Sequence, residues 1–290
     1  MKRQKSYQNE REAALYLIPT PIGNLDDMTF RAVNLLKAVD VIACEDTRHT
    51  KKLCSHFGIH TSLVSYHEHN KEAAGLTILN QLLQGKQIAV VSDAGMPAIS
   101  DPGYELVAAA IAEGIKVIAL PGANAALTAL TASGLVPQPF YFYGFLNRQA
   151  AARKQALDTL KSLTATLIFY ESPHRLKEML QALQSCFGDR EVVIARELSK
   201  KFEEYIRGQL SEINALMQDE ELRGEFVVIV AGESMEGSRQ EAEWWSKLSI
   251  FEHVEWYIEH EACKNSEAIK MVSKDRGVKK QEIYRVYHEA

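Results

Sequence analysis

Paired cysteines are missing from this chain: Cys44, Cys54, Cys186 and Cys263 stand far apart, with no C-x-x-C among them. That spacing excludes a disulfide framework and lends no support to a zinc site, so they read as small buried hydrophobes in a reducing compartment. Long apolar runs are missing too. Nothing approaches the roughly 20 residues needed to span a bilayer, and Met1 to Ala14 is polar and mixed in charge, with no apolar signal-peptide core. A cytoplasmic protein with no membrane partner is expected. Positive charge is in deficit, with 33 Lys and Arg against 38 Asp and Glu, a formal net charge of -5. A polyanion would feel no global attraction, so any nucleic-acid contact must be a local basic surface. Also absent are G-x-G-x-x-G and the P-loop lysine, which removes support for dinucleotide and nucleoside-triphosphate sites.

What is present is an alternation of short apolar runs with helical periodicity. Leu15 to Ile18, Val41 to Cys44, Leu63 to Tyr66, Ile88 to Val91 and Lys116 to Leu120 are predicted strands. Between them, Met28 to Val39, Thr47 to Phe57, Lys71 to Leu83 and Tyr104 to Ala112 carry apolar residues at helical spacing. This alternation predicts an open, mostly parallel sheet with helices on its faces. Pro137 and Pro139 interrupt both periodicities and mark a lobe boundary. Strands are then predicted at Phe140 to Phe145, Ala165 to Tyr170, Glu191 to Ala195, Glu203 to Gln209 and Phe226 to Ala231. Helices are predicted at Ala150 to Leu163, His174 to Cys186 and Ser211 to Met217. Too few residues separate Glu191 to Ala195 from Glu203 to Gln209 for a crossover, so those two should pair antiparallel.

Beyond Gly232 the pattern becomes polar and then purely helical. The expected organisation is a flexible segment 1–14, an α/β lobe 15–134, a second α/β lobe 140–232 and a helical domain 244–290. Within the last, Ser266 to Val272, a turn at Gly277 and Lys279 to Tyr287 match a helix-turn-helix or an ordinary helical hairpin.

The chemistry-bearing segments follow predicted strands, at the edge where open α/β sheets bind ligands. Pro19 to Leu25 holds two prolines and a glycine, and would equally serve as a rigid strand-to-helix turn. Asp93 to Gly103 is built of small residues flanked by carboxylates, though Asp101 before Pro102 is also a good helix N-cap. Pro121 to Ala126 precedes an Ala- and Thr-rich helix that could pack on a cofactor or on another element. In Phe169 to Arg175, Glu171, His174 and Arg175 suit acid, base and phosphate ligand, while Ser172 with Pro173 is an ordinary helix cap. Arg48, Lys51 and Lys52 could meet phosphates, as could the run from Arg196 to Lys201, whose plainer role is solvated loop charge. His67 and His69 would share a strand face, with no further ligand spacing to support a metal.

Taken in order, L-Y-L-I-P-T-P-I-G-N-L, C-E-D-T-R, S-Y-H-E-H-N, S-D-A-G-M-P-A-I-S-D-P-G, P-G-A-N-A-A and F-Y-E-S-P-H-R-L resemble one family. It is the 16S ribosomal RNA cytidine 2′-O-methyltransferase family called RsmI, a branch of the tetrapyrrole-methylase-like methyltransferases. The resemblance covers about Leu15 to Gly232, and more weakly the helical tail. It implies a tetrapyrrole-methylase-like fold of two α/β lobes with a ligand cleft between them, plus a small C-terminal all-helical domain, usually in a homodimer. It further implies S-adenosylmethionine as methyl donor and 16S rRNA of the small ribosomal subunit as partner. Carried over residue by residue, the cofactor should touch Pro21, Ala94, Gly95, Met96, Ile99, Asn124, Ala125, Glu171 and Arg196. Candidate bases are Asp46, Asp93, Asp101 and Glu171, and candidate RNA contacts are Arg48, Lys51, Arg175, Lys200 and Lys201. Gly95-Met96-Pro97 stands where tetrapyrrole enzymes have G-D-P, which moves the chain away from porphyrin substrates. The competing functions are a tetrapyrrole C-methyltransferase and a non-catalytic RNA-binding or ribosome-assembly protein.

Overall fold

The computed structural model describes residues 3–6, 12–234, 244–261 and 263–289, with the side chains of four of these left aside. The expectation of a flexible segment 1–14 falls half outside the described residues, which include 3–6 and 12–14. Gln4, which lies inside them, exchanges side-chain hydrogen bonds of 2.8 and 2.9 Å with the backbone of Val117. The chain divides into two units, Met1–Lys161 with Ala165–Ala231, and Ser162–Thr164 with Gly232–Ala290.

In the first unit, β1 (Ala14–Leu17), β2 (Val41–Cys44), β3 (Ser62–Ser65), β4 (Gln87–Val91) and β5 (Lys116–Ala119) form one sheet in the order β3-β2-β4-β1-β5. Every pairing in it is parallel. The reason lies in the side chains: Val41, Ile42, Ala43 and Cys44 are all buried, as expected of a strand covered on both faces. Helices α1 (Phe30–Ala38) and α2 (Thr47–His56) bury Ala32, Leu36 and Cys54 in one core cluster with Ile18, Ile42 and Ala89. On the opposite face α3 (Lys71–Leu83) and α4 (Tyr104–Ala112) bury Ile78, Leu82, Leu106 and Ala110 against Leu15, Ile88 and Val90. Each of the leucine, isoleucine and valine side chains among them contributes roughly 1.5–3 kcal/mol of burial free energy.

A second sheet has the order β6-β7-β10-β8-β9, from β6 (Phe140–Phe145), β7 (Thr166–Glu171), β8 (Glu191–Arg196), β9 (Glu204–Gln209) and β10 (Phe226–Val230). The predicted antiparallel pair is β8 with β9. β10 inserts between β7 and β8, antiparallel to both, and β6 runs parallel to β7. Helices α6 (Ala150–Leu160), α7 (Leu176–Phe187) and α8 (Leu210–Asp219) belong to this half. Helix α5 (Ala125–Ser133) follows β5, yet its Ala126, Ala129 and Leu130 pack on Ile168, Val193 and Ile229 of the second sheet. Its small residues therefore serve close packing between the two halves.

The second unit contains α9 (Ile250–His260), α10 (Asn265–Arg276) and α11 (Lys280–Glu289) around Val254, Ile269, Val272 and Ile283. Ser249 and Glu252 form a capping box at the start of α9, and Gly277, with φ 63°, ends α10 in the left-handed conformation that glycine adopts cheaply. The helix, glycine turn and helix stand where the spacing predicts them. Among the described residues no helix is long and apolar enough to cross a membrane.

Candidate active site

Because the first sheet is wholly parallel, the loops after β1, β2, β4 and β5 leave from one edge. The loop after β1 is tied to the loop after β4 by a two-way bridge, Thr20 N–H to Gly95 O and Gly95 N–H to Thr20 O, both 3.0 Å. The buried Thr20 hydroxyl donates to Ser92 O at 3.0 Å, and the Ser92 hydroxyl reaches Gly95 O at 3.1 Å. Gly95 has φ 79°, and a Cβ built there would meet Ile22 Cγ2 at 3.4 Å and Ala123 O at 3.7 Å. These contacts hold a backbone turn against open space.

That space is a cavity of about 400 Å³ between the two sheets of the first unit. From the parallel half it is lined by Ile22, Asp93, Ala94, Gly95, Met96, Ile99, Ser100, Asp101, Asn124 and Ala125. The mixed half contributes Phe145, Tyr170, Glu171, Ser172, Pro173, Leu198, Glu225, Phe226 and Val227. Tyr170 is fixed from both sides: its hydroxyl accepts the Ala126 N–H at 3.1 Å, and Phe142 and Phe145 stack edgewise on its ring at 5.0 and 5.6 Å. Asn124 caps α5 by accepting Leu127 N–H at 2.9 Å, which aims the helix start at the cavity.

Of the residues expected to touch a cofactor, Ala94, Gly95, Met96, Ile99, Asn124, Ala125 and Glu171 line the cavity, whereas Pro21 and Arg196 do not. Ile22 stands in place of Pro21, and Leu198 in place of Arg196. The Arg196 guanidinium turns to Arg223 O at 2.8 Å and lies over the Phe226 ring. Ser100, Tyr170, Phe226 and Val227 were not foreseen, although Tyr170 precedes Glu171 in the quoted F-Y-E-S-P motif.

Two helix-cap readings are corrected. The N-cap of α4 is Gly103, with φ 147°, so Asp101 is not its cap. Likewise Ser172 does not cap α7; its N–H and hydroxyl donate to Glu171 Oε1 at 2.8 and 3.3 Å. The shared strand face for His67 and His69 also fails, because β3 ends at Ser65 and both lie in the turn beyond it. Among the described residues no cluster of three His, Cys, Asp or Glu could hold a metal ion.

The four candidate carboxylates differ sharply. Asp46 caps α2 and pairs with Arg48 at 2.7 Å, which holds it well below the usual carboxylate range, and it does not line the cavity. Asp93 accepts Asp46 N–H at 3.3 Å. Glu171, 2% exposed, faces Arg175 at 3.4 Å. Asp101 is pushed up to about 6, first by burial and then by the charges of Glu45 and Asp93.

The candidate RNA cations differ as well. Arg48 and Lys51 are exposed, and so is Lys201, which lies over the Phe202 ring. Arg175 donates to Leu146 O at 2.7 Å, and Lys200 bridges Glu197 and Glu225 at 2.8 Å each. Those two charges are used inside the protein.

A left-handed glycine turn, an apolar lining and the carboxylates Asp93 and Asp101 on the wall suit a positively charged ligand that approaches the backbone closely, as a sulfonium nucleoside must. The same two-lobed architecture occurs in a cobalt precorrin-4 methyltransferase of cobalamin biosynthesis, with TM-score 0.57 and 19% identity over 76% of this chain and 95% of that one. It occurs again in diphthine synthase, with TM-score 0.59 and 13% identity over 76% and 90%. At those identities the likeness concerns the fold alone, a two-lobed α/β architecture.

Sequence carries the assignment further. The family model of Tetrapyrrole (Corrin/Porphyrin) Methylases matches residues 14–214. Ribosomal RNA small subunit methyltransferase I of Bacillus subtilis is 55% identical over 289 residues, 99% of each chain. The protein of that name from Halalkalibacterium halodurans is 55% identical over 290 residues, 100% of each. The chain belongs to the tetrapyrrole methylase family, and it is an enzyme that takes its methyl group from S-adenosylmethionine.

Proposed function

We propose that this enzyme methylates the ribose 2′-hydroxyl of a cytidine in 16S rRNA, on the small ribosomal subunit, as a cytoplasmic homodimer. The observation that carries the reading is end-to-end identity of 55% with relatives named for the small-subunit RNA, helical tail included. The precorrin-4 methyltransferase and diphthine synthase, similar in fold, cover only 76% of the chain. A small-molecule substrate gives no reason for the extra unit.

When bound, the methyl donor supplies an activated electrophilic carbon. The chain must therefore hold donor and acceptor in line and take up one proton. In this reading the backbone of Ala94, Gly95 and Met96, with Ile99, Asn124 and Ala125, holds the donor, and Glu171 shapes the far wall. Arg48, Lys51 and Lys201 meet RNA phosphates at the rim.

Transfer of a radiolabelled methyl group to isolated small subunits, naked 16S RNA and a free tetrapyrrole tests this, with the modified nucleotide mapped afterwards. Label on a cytidine ribose of the small subunit is the expected result. Label on the tetrapyrrole alone would overturn it.

A further inference from the structure

We infer that Asp101 is the general base of the transfer, accepting the proton of the acceptor hydroxyl. This rests on the ribose-hydroxyl reading above and adds the group that makes the hydroxyl reactive. A ribose hydroxyl is a weak nucleophile until its proton leaves, and the accepting group must be open to the cavity, ionised, and free of a cation that would quench its basicity.

Asp46 and Glu171 each fail one of these conditions, and Asp93 meets them only with one oxygen already engaged by a backbone N–H. Asp46 is held by Arg48 in two side-chain hydrogen bonds of 2.7 and 3.1 Å and lies outside the cavity lining. Glu171 is buried with one oxygen on Ser172 and the other facing Arg175. Asp93 lines the cavity, but its Oδ1 accepts the Asp46 N–H. Asp101 lines the cavity and has no helix to cap, since α4 is capped by Gly103. Among the described residues the groups that bear on its charge are Glu45 after β2, Asp93 and the Ser92 hydroxyl after β4, and none is a cation. Facing it from β7 is Tyr170, whose phenol is raised by burial and, in smaller part, by Asp101 itself. Burial first, and then the charges of Glu45 and Asp93, raise the proton affinity of Asp101 toward neutrality, where a base both accepts and releases a proton readily.

The step balances simply. An oxygen lone pair of the acceptor forms the new C–O bond as the methyl carbon's bond to sulfur breaks, its electron pair staying on sulfur as a neutral thioether. The hydroxyl proton passes to Asp101 and is released to water after product leaves.

The test uses full-length protein. Asp101→Asn should lower kcat on small subunits by roughly 10²–10⁴-fold, with donor affinity by calorimetry and the melting temperature showing a folded, donor-binding protein. Asp101→Glu should recover part of the loss. Glu45→Gln removes a neighbouring negative charge and should move the acid limb of the kcat profile to lower pH. Independently of substrate, ¹³C-carboxyl NMR of the unliganded protein should show one group titrating near pH 6, absent in Asp101→Asn. Failure of wild type to label small subunits would fault the substrate reading, while the carboxyl titration would still judge Asp101. The inference is overturned if Asp101→Asn keeps kcat within threefold, if kcat falls only as donor affinity falls, if Asp93→Asn alone abolishes turnover, or if no carboxyl titrates near pH 6.

Discussion

Gly23 lies directly against Lys200: a Cβ at Gly23 would overlap Lys200 Cγ and come within 2.9 Å of the Leu198 carbonyl oxygen. The loop after β1 and the loop after β8 thus close on one another beside the cavity, pinned a second time by the Ser199 hydroxyl donating to Asp27. Glu197 and Ser199 flank Leu198 at φ 50° and 66°, conformations that side chains adopt at a cost and that turn Leu198 into the cavity wall.

Gly23→Ala should therefore force the two loops apart. Overpacking of this kind costs about 1–3 kcal/mol, and because Ile22 and Leu198 line the cavity, donor affinity should fall with it. Calorimetric titration with S-adenosylmethionine and thermal denaturation of the same samples would check both; an unchanged dissociation constant would detach this loop pair from the site.

Gly95→Trp should abolish donor binding while leaving a folded protein. The left-handed φ costs a non-glycine residue roughly 1–2 kcal/mol, which a core of this size tolerates, but the indole has only the cavity to enter. Circular dichroism should report native helix content and calorimetry no binding.

The extent to which this was legible in sequence follows from what each residue's role depends on. Val41–Cys44 could be read as a buried strand because four apolar residues in a row need cover on both faces whatever the rest does. For Asp101 the sequence offered two roles, base and helix cap, and could not choose between them, because a carboxylate before proline is the ordinary opening of a helix. Only the φ of 147° at Gly103 delays α4 to Tyr104 and leaves Asp101 facing the cavity. Phe226 and Val227 reach the cavity because β10 inserts between β7 and β8, and strand order has no local signal. Lys200 looked like free positive charge because the second of its two partners, Glu225, is 25 residues away in sequence, and the loop that turns Glu197 toward it has no local signal.

That difference separates two adjacent lysines. Lys201→Glu should weaken RNA binding and reduce the slope of log affinity against log salt by roughly 0.7–0.9, the value of one phosphate contact, with donor affinity constant. Lys200→Glu should instead lower donor affinity, since replacing the cation shared by Glu197 and Glu225 with a third carboxylate drives this loop apart and displaces Leu198 and Glu225, which line the cavity. Filter binding across a salt series and calorimetry distinguish them; identical behaviour of the two variants would contradict the assigned roles.

In the helical unit Arg276 is likewise a cation engaged within the protein. It stacks on Trp245 at 4.9 Å, donates to Leu248 O at 2.6 Å, and donates from Nε to His253 Nδ1 at 3.2 Å. Arg276→Ala should loosen this unit by about 1–3 kcal/mol through the carbonyls it leaves unpaired, visible as faster hydrogen exchange in α9 and α10. Lys279→Glu with Lys280→Glu, both exposed, should leave exchange unchanged and weaken RNA binding. Unchanged RNA affinity would make the unit a structural appendage.

The last prediction links the proposed base to stability. Asp101 has a folded-state pKa near 6 against an ordinary 3.8, so its ionised form is the one the fold disfavours. For a raised group the stability is fully present below the unfolded value and is lost as pH rises through the folded one. Asp101→Asn removes that loss, so the variant should be more stable than wild type at pH 7.5. The gain should shrink through pH 6 and vanish near pH 4. Partial solvent access reduces the effect to roughly 1–2 kcal/mol at neutral pH. Urea unfolding at pH 4.5, 6 and 7.5 measures it directly. A variant more stable than wild type yet nearly inactive is what a carboxylate retained for chemistry at the expense of the fold should produce; a variant destabilised at pH 7.5 would mean that the ionised Asp101 holds the loop together instead.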